Sequence, residues 1–168
     1  MKNLELGIIR TVKPISFSLA EVIAIAIALL MLVLQALPSL DVLEYQNTAS
    51  TREAWRWLTA HIIHVNWQHA LINAVALWVV ARLFAPDLSP SRQLSTLVAA
   101  ALAISACLAL FYPSIAWYRG LSGALHGLFF AGATIWLIKA RPRRFRQLWL
   151  PSALFFGGWI KVALEQPG

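Results

Sequence analysis

The chain has 168 residues, of which 60% are hydrophobic and only 12% are charged, and its mean hydropathy is +0.68. This composition excludes an ordinary soluble domain and is typical of an integral membrane protein. The net charge of +7 does not indicate a nucleic-acid-binding protein, because the basic residues lie between apolar runs and form no single basic face.

Five apolar segments, each long enough to cross a bilayer, follow one another along the chain. We predict membrane-spanning helices at 17–37, 69–85, 94–112, 121–139 and 147–164. The predicted fold is therefore an all-α polytopic bundle in which residues 1–168 form a single membrane domain. Residues 38–68 form its longest loop, and the pairing of Glu53 and Arg56 beside tryptophans predicts an interfacial helix there.

The basic residues concentrate on alternate connections of this bundle. Ten of them precede the first span or lie around the second and fourth connections: Lys2, Arg10, Lys13, Arg82, Arg92, Lys139, Arg141, Arg143, Arg144 and Arg146. The opposite side holds only Arg52, Arg56, Arg119 and Lys161. The positive-inside rule therefore predicts that the amino terminus is cytoplasmic and that the loop at 38–68 lies outside.

Polar residues meet at one predicted depth of the bundle. His69 and Asn73 are four residues apart at the start of the second span, so they share one helix face. The fourth span begins near Ser122 and runs in the same direction, which places all three residues in the outer leaflet. A serine beside histidine and asparagine donors is an arrangement that stabilises the oxyanion of a tetrahedral intermediate.

The segment Gly120-Leu121-Ser122-Gly123-Ala124-Leu125-His126-Gly127 places that serine between two glycines. Two interpretations are open for the segment alone. Small residues at four-residue spacing, here Gly123 and Gly127, are common where membrane helices pack closely. Glycines beside a serine also allow another backbone to approach its hydroxyl, as a nucleophile requires.

Three histidines, His61, His64 and His69, raise the alternative of a small transporter or metal-handling protein. Their spacing does not place all three on one helix face, and no cysteine or carboxylate cluster adjoins them. We therefore predict no metal and no cofactor. We expect His64 and Asn66 to tie the outer loop to the second span.

In combination, these residues resemble the rhomboid family of intramembrane serine proteases. Three blocks carry the resemblance over about residues 50–168: Glu53-Ala54-Trp55-Arg56, the series from His64 through His69 to Asn73, and Gly120-Leu121-Ser122-Gly123. The surrounding residues are similar to the rhombosortase subfamily, namely Trp117-Tyr118-Arg119, Leu125-His126-Gly127, Lys161 and Glu165.

The resemblance implies a serine endopeptidase with Ser122 as its nucleophile. The backbone N–H of Ser122 and the side chains of His69 and Asn73 would form the oxyanion hole. His126 would line the pocket or, one helical turn from the serine, act as a surrogate base. The remaining motif positions are the glycines Gly120, Gly123 and Gly127 and the outer-loop residues Trp55, Arg56 and His64.

The resemblance also implies a substrate and a location. The substrate would be a single-span membrane protein cut near the outer face, in particular an exported protein with a carboxy-terminal glycine-rich sorting signal. The enzyme would lie in a bacterial inner membrane, with its active site toward the periplasm.

The general base of the family is a histidine on a sixth span, and this sequence has no histidine after His126. We therefore expect a chain that is a fragment or a natural truncation, or an inactive relative that binds membrane helices. Without a sixth helix, the face formed by Gly123 and Gly127 is expected to be left against lipid or another molecule.

Overall fold

The computed structural model describes residues 16–48 and 52–139, together with residues 149, 152, 153 and 156. Within these residues the chain forms five helices and one two-stranded antiparallel sheet. The helices are α1 (Leu19–Gln35), α2 (Arg56–Thr59), α3 (Trp67–Phe84), α4 (Pro90–Phe111) and α5 (Ser122–Lys139), and the strands are β1 (Tyr45–Gln46) and β2 (Trp117–Tyr118).

Four of the predicted spans correspond to α1, α3, α4 and α5, which confirms the helical class. Among the described residues, α3 and α4 are long and apolar enough to cross a membrane, while α1 is apolar but shorter. The fifth predicted span, at 147–164, lies outside the described residues except for four positions. The count of five spans therefore stays a prediction.

Side chains from the preceding loops cap the starts of three helices. Ser18 and Glu21 form a reciprocal capping box at α1. Ser89 accepts a hydrogen bond from the Arg92 N–H at α4. Asn66 accepts from the His69 N–H at 2.8 Å, so the expected tie between Asn66 and the second span is confirmed.

Two ion pairs show that the long helices alternate in direction. Glu21, near the start of α1, bonds Arg82, near the end of α3, at 2.7 Å. Asp87, in the α3–α4 connection, accepts hydrogen bonds from Trp136 and Lys139 near the end of α5, both at 2.7 Å. The starts of α3 and α5 therefore lie together at the opposite end of the bundle, where the predicted site residues are.

The core of the bundle combines large apolar side chains with small ones. Met31 of α1, Leu77 and Phe84 of α3 and Leu128 of α5 are almost fully buried. The ring of Phe84 occupies the space that a side chain at Gly132 would need. This packing fixes α5 against α3 below the site.

The glycine face of α5 packs against α4. A Cβ atom at Gly127 would lie 2.6 Å from Cβ of Ala100, and one at Gly123 would lie 2.6 Å from Cδ1 of Ile104. The expectation that this face is left against lipid or another molecule is therefore wrong. The physical reason is that α4 directly precedes α5, and small residues allow these two neighbouring helices to approach closely.

Candidate active site

The turn that leads into α5 has an unusual backbone conformation at Gly120, where φ is +131°. Residues with a Cβ rarely adopt this region, so glycine is the residue that fits. The Gly120 N–H donates to the Ala60 carbonyl at 2.9 Å, and the Tyr118 hydroxyl donates to the Gly120 carbonyl at 2.9 Å. The turn is thereby attached to both the outer loop and β2.

The imidazole of His69 lies directly on this turn. A Cβ atom at Gly120 would be 2.7 Å from Cε1 of His69 and 3.3 Å from its Nε2. The missing side chain therefore allows a ring from α3 to reach the backbone two residues before Ser122. His69 therefore lies beside the turn that precedes Ser122, and the predicted meeting of His69, Asn73 and Ser122 at one depth stays a prediction.

Ser122 is the first residue of α5 and is half-buried. The first N–H groups of a helix have no partner within it and carry a partial positive charge. The Tyr118 hydroxyl lies close to Gly123, where a Cβ atom would be 3.5 Å from its oxygen, and burial raises the pKa of this phenol. The Ser122 hydroxyl thus lies at the electropositive end of a helix.

Asn73 lies one turn further along α3 than His69 and is buried, with 3% of its surface exposed. Its Nδ2 donates to the His69 carbonyl at 2.9 Å. An amide nitrogen carries two hydrogens, so this bond orients the side chain and leaves a second N–H for another acceptor.

His64 lies beneath the turn and is 1% exposed. Its Nε2 accepts a hydrogen bond from the Leu121 N–H at 3.4 Å, and its ring meets that of His69 edge to face at 5.0 Å. Burial, and secondarily the nearby His69, lowers the pKa of His64 to about 4. The ring is therefore neutral at neutral pH, and its proton is on Nδ1.

Trp55 and Arg56 stabilise the outer loop through hydrogen bonds to its backbone. Arg56 is 6% exposed, pairs through Nε with Glu53, and donates from Nη1 to the Glu44 carbonyl at 2.8 Å. Trp55 donates from Nε1 to the Val42 carbonyl at 3.1 Å. The predicted Glu53–Arg56 pair is confirmed. The predicted interfacial helix corresponds to the single turn of α2, and its interfacial position stays a prediction.

Arg119 forms a second set of ion pairs with the outer loop, which the sequence did not predict. It donates to the Glu44 carboxylate at 2.7 Å and to the Asp41 carboxylate at 2.6 Å. A cleft of about 260 Å³, lined by Glu44, Val65, Trp117 and Arg119, opens beside this ion pair. The segment just before the Gly120 turn therefore forms one wall of a polar cleft at the site end of the bundle.

His126 contacts the backbone of Ser122. Its Nδ1 lies 2.7 Å from the Ser122 carbonyl oxygen. Because a carbonyl only accepts, Nδ1 carries a hydrogen, and in the neutral imidazole Nε2 then has the lone pair. Within the described residues no hydrogen bond joins His126 to the Ser122 hydroxyl, so its role as a surrogate base stays a prediction.

His61 is separated from the other two histidines. Its Nε2 lies 3.1 Å from Oγ of Ser105, and that hydroxyl donates to the Trp57 carbonyl at 2.9 Å. His61 therefore fixes α2 against α4, while His64 and His69 contact each other near the turn. In the part of the chain that the structure describes, no three metal-ligating side chains come together.

The fold and these contacts define a helical membrane protein with a serine, a histidine and an asparagine at one end of its bundle. A family model described as the Rhomboid domain matches residues 51–164, which is most of the chain. The chain belongs to the rhomboid family, whose members are generally intramembrane serine proteases that act on membrane proteins. Neither the curated proteins nor the solved structures give a match.

Proposed function

We propose that this protein is an intramembrane serine endopeptidase in which Ser122 is the nucleophile. The observation that carries the proposal is the contact between His69 and Gly120, two residues before Ser122. This contact brings a histidine from α3 to the electropositive start of the helix that Ser122 opens. Donors from two elements are thereby available around one hydroxyl.

The proposed reaction begins when Oγ of Ser122 attacks the carbonyl carbon of the scissile peptide bond. The carbonyl oxygen becomes an oxyanion, and it accepts hydrogen bonds from the Ser122 N–H and from the side chains of His69 and Asn73. The tetrahedral intermediate then expels the amine and leaves an acyl-enzyme on Ser122. Water hydrolyses this ester, which releases the acid and restores the serine hydroxyl.

A base must accept the Ser122 proton and later deliver it to the amine leaving group. By the family resemblance, this base is a histidine of a further helix. His126 is the alternative from the described residues, because its Nε2 lone pair is free of the bond that Nδ1 makes to Ser122. We assign the base to a further helix by the family resemblance, since within the described residues no hydrogen bond joins His126 to the Ser122 hydroxyl.

We propose a single-span membrane protein as the substrate, cut near the end of the bundle that carries Ser122. The similarity to rhombosortases supports a carboxy-terminal glycine-rich sorting signal on an exported bacterial protein. Glycines near the cut favour local unwinding, which exposes backbone carbonyls that a membrane helix otherwise keeps hydrogen-bonded. Arg82 and Lys139 lie at the far end of the bundle, which supports a cytoplasmic far end and a periplasmic site.

A fluorophosphonate probe tests the nucleophile in the full gene product, reconstituted in lipid vesicles. We expect labelling of the wild-type protein and none of Ser122→Ala. Ser95→Ala provides the matched control, because Ser95 is an exposed serine of α4 and its loss leaves the labelling unchanged. Binding of membrane helices with no labelling of the wild-type protein contradicts the proposal and identifies a non-catalytic relative.

Two substrates that differ in one feature test the proposed substrate class. Each has an exported domain, an apolar helix and a basic tail, and only one of them carries a glycine-rich segment before the helix. We expect the vesicles to cleave the glycine-containing substrate preferentially, in a manner that requires Ser122. Equal cleavage of both substrates contradicts the sorting-signal proposal and leaves the proposed nucleophile intact.

A further inference from the structure

The peptide bond between Gly120 and Leu121 is held at both of its polar ends. The Gly120 carbonyl accepts from the Tyr118 hydroxyl at 2.9 Å, and the Leu121 N–H donates to Nε2 of His64 at 3.4 Å. Both partners are side chains from outside the turn. The orientation of this one peptide plane is therefore fixed from β2 on one side and from the outer loop on the other.

Fixing this plane matters because a peptide next to glycine rotates easily. A flip would exchange the directions of the Gly120 carbonyl and the Leu121 N–H, immediately before Ser122. Because the Leu121 N–H is directed at Nε2 of His64, the flipped carbonyl would direct its negative end at the lone pair of that nitrogen. Two acceptors would then face each other and the Leu121 N–H would lose its partner, which would change the conformation of the turn that precedes Ser122.

Tyr118 lies close to the Gly120-Leu121-Ser122-Gly123 segment at two places. Besides its bond to the Gly120 carbonyl, its hydroxyl oxygen would lie 3.5 Å from a Cβ atom at Gly123. A phenol has one hydrogen to donate and two lone pairs that accept. Its one hydrogen is directed to the Gly120 carbonyl, so that carbonyl has a fixed partner.

The ring of Tyr118 is itself held in place. Tyr118 pairs with Tyr45 across the two strands, and its ring lies 5.3 Å from that of His61. His61 in turn bonds Ser105 of α4. A hydroxyl on so constrained a ring has a fixed position relative to the turn, which is what the orientation of a serine side chain requires.

We propose that Tyr118 is a positioning residue for the nucleophile: its hydroxyl fixes the Gly120 carbonyl, and with it the conformation of the turn that carries Ser122. This inference depends on the proposed function of Ser122. Tyr118 belongs neither to the Gly120-Leu121-Ser122-Gly123 segment nor to the Glu53-Ala54-Trp55-Arg56 segment.

Tyr118→Phe tests the proposal in the full gene product, because it keeps the ring and removes only the hydroxyl. We expect the maximal rate of fluorophosphonate reaction with Ser122 to fall about tenfold, as the loss of a hydrogen bond implies, while the apparent affinity for the probe is unchanged. Tyr112→Phe is the matched control, since Tyr112 is exposed at the end of α4. This control is expected to react at the wild-type rate.

Amide hydrogen exchange at Leu121 provides a second readout that does not require catalysis. We expect faster exchange in Tyr118→Phe, because the freed peptide flips and loses its bond to His64, and no change in Tyr112→Phe. A Tyr118→Phe protein with wild-type labelling and wild-type exchange overturns the proposal. So does a lower melting temperature with an unchanged labelling rate, since that result assigns Tyr118 only a structural role.

The two readouts separate this proposal from the proposed function. If the wild-type protein is not labelled, the nucleophile assignment fails, and exchange at Leu121 alone then decides whether Tyr118 holds the peptide. Unchanged exchange at Leu121 in Tyr118→Phe contradicts the role of the hydroxyl in fixing the peptide, and faster exchange supports that role. If the wild-type protein is labelled and Tyr118→Phe is labelled equally fast, the nucleophile stands and the positioning role fails.

Discussion

The imidazole of His69 rests on the α-carbon of Gly120, where a Cβ would lie only 2.7 Å from the ring. Two elements far apart in the sequence, α3 and the turn before α5, therefore meet without a side chain between them. The same glycine has φ of +131°, so the backbone conformation and the close approach both require it. This contact determines how near the histidine lies to Ser122.

Gly120→Ala is expected to destabilise the protein by about 1–3 kcal/mol, because it adds both backbone strain and a steric clash. Unfolding of the purified protein in mixed micelles measures this loss. Labelling of Ser122 by a fluorophosphonate is expected to fall as well, since His69 must move away from the turn.

His69→Ala separates the two causes. In that background the added methyl group meets no ring, so Gly120→Ala is expected to cost less free energy than it does in the wild-type protein. Equal costs in the two backgrounds contradict a clash with His69 and leave only the strain of the positive φ.

Arg56→Lys is expected to destabilise the protein by about 2–4 kcal/mol. The Arg56 side chain is 8% exposed, pairs with Glu53 and donates to a backbone carbonyl of the outer loop, and an ammonium group does not reproduce this geometry. Arg52→Lys is the matched control, because Arg52 is exposed four residues earlier. A comparable loss of stability in both variants contradicts the specific role of Arg56, and thermal unfolding decides between the outcomes.

The apolar runs were sufficient to predict four of the helices, because a membrane span needs a long apolar stretch regardless of its partners. Helical spacing likewise placed His69 and Asn73 on one face and at the same end of the bundle as Ser122. These features depend on local sequence, which a single chain displays directly.

Other features depend on pairs that are distant in the sequence. Arg119 bonds Glu44 and Asp41, which lie 75 and 78 residues before it, and no periodicity connects such positions. Two-residue strands such as β1 and β2 are too short to produce an alternating pattern. The glycines of α5 predicted close packing, but small residues do not specify which helix approaches, and α4 does so here.

Gly127→Ala tests the contact between α4 and α5. The new methyl group would lie 2.6 Å from Cβ of Ala100, so we expect a loss of about 1–3 kcal/mol in the free energy of unfolding. Ala100→Gly removes the opposing atom, and the double variant is expected to recover part of that loss. Additive losses in the double variant contradict a direct contact between these two residues, as measured by a double-mutant cycle in micelles.

The buried imidazole of His64 predicts a dependence of stability on pH. Burial and the nearby His69 lower its pKa in the folded protein to about 4, from an ordinary value of 6.5. Between these two values the unfolded chain binds more protons than the folded one. The stability is therefore fully present above about pH 6.5, decreases as the pH falls through this window, and levels off below about pH 4.

The expected slope is at most about 1.4 kcal/mol per pH unit for one histidine, as one proton is taken up on unfolding. His61 adds to it in the same direction, because burial also lowers the pKa of His61. His64→Gln retains an acceptor for the Leu121 N–H and removes the titrating group, so it is expected to flatten the profile between pH 6.5 and 4. Unfolding titrations across this range measure the slope, and an identical slope in His64→Gln contradicts the assignment to His64. Since protonated His64 no longer accepts from Leu121, the same acidification is expected to lower the protection of the Leu121 amide, measured as its exchange rate relative to that of the unfolded chain at the same pH. In His64→Gln this protection is expected to stay unchanged.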